Sequence, residues 1–158
     1  MAIITLNNNS LSGVTALPAG IGGKVIQVVT SSTSTVTSTT SSTYVPTTLA
    51  VSITPSSTSN KILIIFNSSA LHTTNSSNAI SLALFRDSTQ LYEPQLYIGW
   101  DTSSTDNQDA VGGTYLDTPS SVSSISYNLQ FKRRSGSNTV NVQANGSTST
   151  ITAMEITG

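Results

Sequence analysis

From residue 24 onward the chain alternates short β-branched runs with polar turns. Residues 24–30 (KVIQVVT) form the first run, and Val36 sits inside a polar one at 34–39. In residues 49–54 (LAVSIT) the apolar positions Leu49, Val51 and Ile53 recur every second residue, the period of a half-buried strand. PSSTSN at 55–60 has turn composition. KILIIFN at 61–67 is apolar on both faces, which predicts a central strand or one buried at an interface. AISLALFR at 79–86 is followed by Asp87-Ser88-Thr89, a tight reversal, and a further short run.

Two later strands are the clearest. Residues 124–132 alternate Ile125, Tyr127, Leu129 and Phe131 with polar neighbours, and 138–144 alternate Val140, Val142 and Ala144. RRSGS at 133–137 reads as a Gly-containing hairpin joining them. In 149–156 the pair Ile151 and Ala153 is out of phase with Met154 and Ile156, which predicts a bulge or burial of both faces. The sum is an all-β, antiparallel β-sandwich or jelly roll of about eight to ten strands, without a convincing helix.

Residues 1–23 differ. Ile3, Leu6, Leu11, Val14 and Leu17 precede Pro18, Gly20, Gly22 and Gly23, which disfavour a continuing helix. The segment is expected to be an arm, either covering one end of the 24–158 domain or anchoring it to a partner. It has neither the basic nor the apolar region of a secretory signal. No stretch approaches the ~18 apolar residues of a membrane span.

Composition narrows the chemistry. Ser and Thr fill roughly a third of the 158 positions, far above their usual share. Charged residues are 8 %, net charge is −1, and there is no Cys. Such a surface argues against nucleic acid and for an oligomer. His72 is the single histidine, and with no Cys nothing completes a transition-metal site; a His-based triad would have to use His72, and no GxSxG elbow is present. The seven carboxylates show no paired spacing, and DTSSTDNQD at 101–109 lacks the ligand pattern and central Gly of a calcium hand. No catalytic residue, cofactor or metal is expected. Tyr92, Tyr97 and Trp100 could fill a core or subunit interface, or contact carbohydrate. Arg133 and Arg134, with Lys132, could be a solvated turn tip or could meet an acidic surface.

TLNNNSLSGVTALPAGIGGKVIQVV, SITPSSTSNKILI, LFRDST, TYLDTPSS and the closing TAMEI together resemble short structural proteins of tailed bacteriophages, notably marine and cyanobacterial ones. The resemblance implies a jelly roll assembling as a homotrimer, similar in plan to tumour-necrosis-factor-like domains, in which apolar strands meet on a threefold axis. Ile62, Ile64, Phe66, Ile151, Met154 and Ile156 are the residues expected there. It implies a virion protein without catalytic residues. The expected role is a capsid decoration or cement protein on the outer surface of the phage head, bound to the major capsid protein or another virion protein. The alternative is a tail-fibre tip that contacts a host surface glycan or protein through loops carrying His72, Tyr92, Tyr97, Trp100, Arg133 and Arg134. A polysaccharide depolymerase is a third, weaker class.

Overall fold

The computed structural model describes residues 24–157 apart from 75, 76, 101 and 103–105. The predicted arm lies outside the described residues. The strands are β1 (Val25–Thr33), β2 (Thr37–Thr39), β3 (Val45–Ile53), β4 (Lys61–Thr73), β5 (Ala79–Arg86), β6 (Thr89–Ile98), β7 (Asn107–Asp117), β8 (Ile125–Ser135), β9 (Val140–Val142) and β10 (Ser149–Ile156). A 3-10 turn at Ala144–Gly146 separates the last two.

They pair antiparallel in two sheets that form a β-sandwich. The first sheet runs β1-β10-β4-β9-β2, with β7 on the other edge of β4; the second runs β3-β8-β5-β6. β4 is the long central strand that its two-faced apolar run predicts. A bulge at Ser68–Leu71, where Ala70 has φ 47°, lets it pair with β10 along its first half and with β9 near its end.

The core lies between the sheets. β3 contributes Leu49, Val51 and Ile53, and β8 contributes Ile125, Tyr127, Leu129 and Phe131, all buried as their period of two requires. Thr33 meets Thr48 hydroxyl to hydroxyl at 2.9 Å, so β1 lies beside β3 at one margin. Tyr92 of β6 stacks on Tyr115 of β7 at the other, ring centroids 5.8 Å apart. Pro46 lies on edge strand β3 and Pro94 on edge strand β6, where a missing N–H breaks no central ladder.

Two expectations change. β10 pairs with β4 without a register shift; the irregularity lies in its other neighbour, between Val25 and Gln27 of β1, opposite Ile156 and Glu155. The phase break in β10 arises because Glu155 points inward with Ile151 and Ala153, which leaves Met154 and Ile156 outside. The expected 124–144 hairpin does not form either. β8 pairs with β3 and β5, while β9 joins the other sheet beside β2 and β4. The RRSGS segment is therefore a crossing between sheets.

Gly136 makes that crossing possible. Its φ is +78°, and a β-carbon there would lie 1.7 Å from Asn78 Oδ1, which accepts from the Asn138 backbone N–H at 3.4 Å. Gly136→Ala should cost about 2 kcal/mol, combining left-handed strain with displacement of Asn78. Thermal melting checks this. Adding Asn78→Ala removes the side-chain part of the clash, at 1.7 and 2.6 Å, so the double variant should lose less than the sum of the two single losses.

Candidate functional site

The outer face of the first sheet carries an apolar row that crosses four strands. The register aligns Val28 of β1 with Met154 of β10, Met154 with Leu63 of β4, and Leu63 with Leu116 of β7. Val28 is 55 % exposed and Leu116 49 %, while Leu63 and Met154 are half-buried. Ile65 continues the face one row on, and Ile156 one row back. That next row is Thr30, Thr152, Ile65 and Thr114. Glu155 points the other way, so between residues 61 and 67 of β4 and their partners the outer face carries one formal charge, Lys61.

This places the expected threefold-axis residues differently. Ile62, Ile64, Phe66 and Ile151 are buried between the sheets, so they fill the core of their own chain and are not available to a neighbour. The pleat of β4 and β10 turns alternate residues to opposite faces. Met154 and Ile156 do lie outside, with Leu63 and Ile65 where the other candidates were expected.

The predicted partner loops divide as well. Tyr92 points into the sandwich against Tyr115 and is a packing residue. His72 is on the outer face near the end of β4. Asn141 Nδ2 donates to its Nδ1 at 3.3 Å, and in that tautomer Nε2–H donates to Asp106. Arg133 Nη1 donates to the Ser137 carbonyl at 2.9 Å, tying it to its own turn. Tyr97 and Trp100 stand at one end of the sandwich, exposed, with ring centroids 6.4 Å apart and planes at 76°. The Arg134 guanidinium lies 5.2 Å from the Tyr97 ring centre.

Sequence reasoning missed a second cluster, on the outside of the second sheet. Tyr44 packs edge-on to Phe85, Lys132 Nζ lies 4.1 Å from its ring centre, and its hydroxyl donates to Glu93. Burial, then the Glu93 carboxylate, push the Tyr44 hydroxyl well above the ordinary phenol range. The signal was faint, because Tyr44 precedes a strand and no spacing links it to residues 93 and 132.

Two carboxylates are internal. Glu155 accepts from the Ser56 backbone N–H (2.7 Å), Ser56 Oγ (2.7 Å), Asn60 Nδ2 (2.6 Å) and Gln27 Nε2 (2.6 Å). Asp117 accepts from Arg86 and Tyr127. Both carboxylates are held by donors from several segments of the fold. Among the described residues no group of three His, Cys, Asp or Glu could hold a metal. No helix there is long and apolar enough to cross a membrane.

No family model matches the chain, and no curated protein matches it. Among solved structures it is similar to VP2 of infectious bursal disease virus in a subviral particle, at 12% identity and TM-score 0.44, over 84% of this chain and 39% of that one. A mutant VP2 in T=1 particles gives 12% identity and TM-score 0.45, over 83% and 36%. The T13 particle of the same virus gives 9% and 0.43, over 84% and 38%. The chain thus spans less than two fifths of the proteins it matches.

Proposed function

We propose that this chain is a virion structural protein that assembles as a homotrimer and decorates the outer shell of a tailed-phage head. The observation that carries the reading is the apolar row Val28–Met154–Leu63–Leu116, an exposed stripe on an otherwise hydroxyl-covered, nearly uncharged face. Stripes of this kind mark interaction sites. A second copy suits it, because around the row, between residues 61 and 67 of β4 and their partners, the face carries no carboxylate and one lysine, and so can meet itself there with little like-charge repulsion. The sequence resemblance supplies the virion context. A cement protein that binds only the assembled shell stabilises it by mass action.

The test has two stages. Light scattering on the full chain should give three times the 16.4 kDa protomer mass. Leu63→Asp combined with Met154→Asp should give monomer with an unchanged far-ultraviolet spectrum, because each carboxylate would otherwise be buried. A wild-type monomer, or a trimer untouched by both substitutions, removes this interface. A shortened chain starting at residue 24 that gains self-association shows instead that residues 1–23 cover the row. Undecorated capsids should then bind the trimer and melt at higher temperature; absence of binding ends the decoration reading.

Exposure of Tyr97 and Trp100 favours the second reading, a tail-fibre tip. Labelled protein would then adsorb to susceptible cells and spare resistant mutants.

A further inference from the structure

Of the nine aromatic side chains, all described, Tyr97 and Trp100 alone are exposed, by 49 % and 53 %. The chain buries or half-buries its other rings, so leaving its one indole in water forgoes a large burial gain. Among the described residues, the two rings and Ser135 line a wide-open hollow of about 560 Å³. That volume falls within the roughly 300–1,000 Å³ typical of small-ligand sites.

The backbone beneath is pinned. Ile98 is fully buried, and Gly99 turns with φ +69°. The Gly99 carbonyl accepts from Thr73 Oγ1 at 3.2 Å and from Asn107 Nδ2 at 3.3 Å. Ser135 Oγ donates to the Ser77 carbonyl at 2.7 Å and fixes the opposite rim. The Trp100 backbone is thus set in place before any ligand arrives, which lowers the ordering cost of binding.

Charge then selects the ligand. Arg133 is tied to the Ser137 carbonyl, and Lys132 sits over Tyr44. Glu93, the nearby carboxylate of the same surface, accepts from Tyr44. Arg134 is in no ion pair among the described residues and rests on Tyr97. A guanidinium beside an aromatic ring and outside any ion pair has N–H donors to offer a carboxylate.

We propose that Tyr97, Trp100 and Arg134 form a binding site for a sugar ring bearing a carboxylate, such as a uronate unit of an acidic polysaccharide. Two rings at 76° make a corner. One face stacks on the C–H side of a pyranose, the other bounds its edge, and Arg134 takes the carboxylate. The site stands whether the protein sits on a head or a tail, and it does not depend on trimer formation.

Trp100 is the only tryptophan, so its emission reports on the site directly. The full chain is titrated with trigalacturonate, with neutral galactotriose and with a short oligothymidylate. A saturable emission change is expected with trigalacturonate, about tenfold weaker with galactotriose, the worth of one charge-assisted contact. Arg134→Gln should lose about the same factor while melting like wild type, and Arg134→Lys should fall between, keeping the charge without the fork. The proposal fails if trigalacturonate leaves the emission unchanged, if the neutral sugar binds equally well, or if Arg134→Gln binds as wild type does. Preference for oligothymidylate would also overturn it, by showing a base-stacking site.

Discussion

Replacing Asp117 with alanine is expected to lower stability by about 4 kcal/mol, the size found when one partner of a buried ion pair is removed. Asp117 faces inward from β7 of the first sheet. Arg86 of β5 and Tyr127 of β8, both in the second sheet, converge on it. Arg86 Nη1 donates to Oδ1 at 3.0 Å and to Oδ2 at 2.9 Å; Tyr127 Oη donates to Oδ2 at 2.6 Å. The carboxylate therefore clamps the two layers together at one end of the core. Without it a phenol hydroxyl is buried with no acceptor, and a mostly covered guanidinium loses its counter-charge. Burial, then the bond to Asp117, push the Tyr127 hydroxyl far above the ordinary phenol range, so it stays a donor at every working pH. Tyr127→Phe should cost about 1 kcal/mol, the worth of one hydrogen bond. Because the three groups share one network, the Asp117→Ala and Tyr127→Phe losses should not add. Thermal melts at fixed protomer concentration measure both. A melt of Asp117→Ala that overlays wild type would mean the clamp contributes nothing.

The second large effect belongs to Glu155 and depends on pH. Burial alone would raise its pKa; donation from Asn60, Gln27 and both donors of Ser56 overcomes this and brings it to about 2, from 4.5 unfolded. A depressed folded pKa means that the unfolded chain binds the proton first. The stabilisation is thus complete above roughly pH 4.5 and is lost as pH falls towards 2. Wild type should lose melting temperature across that window. Glu155→Gln should lose about 3 kcal/mol at neutral pH, because its amide nitrogen would face a donor whichever way it turns. The variant should therefore show a flatter profile between pH 4.5 and 2. Parallel profiles for the two proteins would show that the carboxylate does not govern acid stability.

The all-β class and most strands were legible because Leu49, Val51 and Ile53, or Ile125 to Phe131, repeat with period two against polar neighbours. Which face of a two-faced apolar run meets the core was not legible. In KILIIFN both registers are apolar, and only pairing with β10 and β7 decides that Ile62 and Ile64 go in while Leu63 and Ile65 go out. Glu155 misled the reading of β10, since a charge looks like an outer position until Ser56, Asn60 and Gln27 gather around it from distant segments. The RRSGS crossing was misread because hairpin and sheet-switching turns share the same residues. Here contact between Gly136 and Asn78, across the fold, distinguishes them. Tyr92, Tyr97 and Trp100 form one cluster in the sequence, with a core, a subunit interface or carbohydrate contact as its possible uses; exposure, absent from any sequence pattern, takes Tyr97 and Trp100 out of the core of their own chain.

A β protein with so few charges would be expected to fibrillise, since exposed strand edges recruit further strands and lysines normally repel them. This chain guards its edges by shape. β1 shifts register between Val25 and Gln27, and β2 has only three residues. The N–H groups of Thr35, Ser41 and Thr43 around β2 are taken by hydroxyls two residues back. β3 and β6 carry proline and irregular register, and β7 runs beside β6. Edge-to-edge growth is open-ended, whereas packing through a sheet face can close upon itself. Blunted edges thus leave little open strand for edge-to-edge growth even though few charges guard the surface.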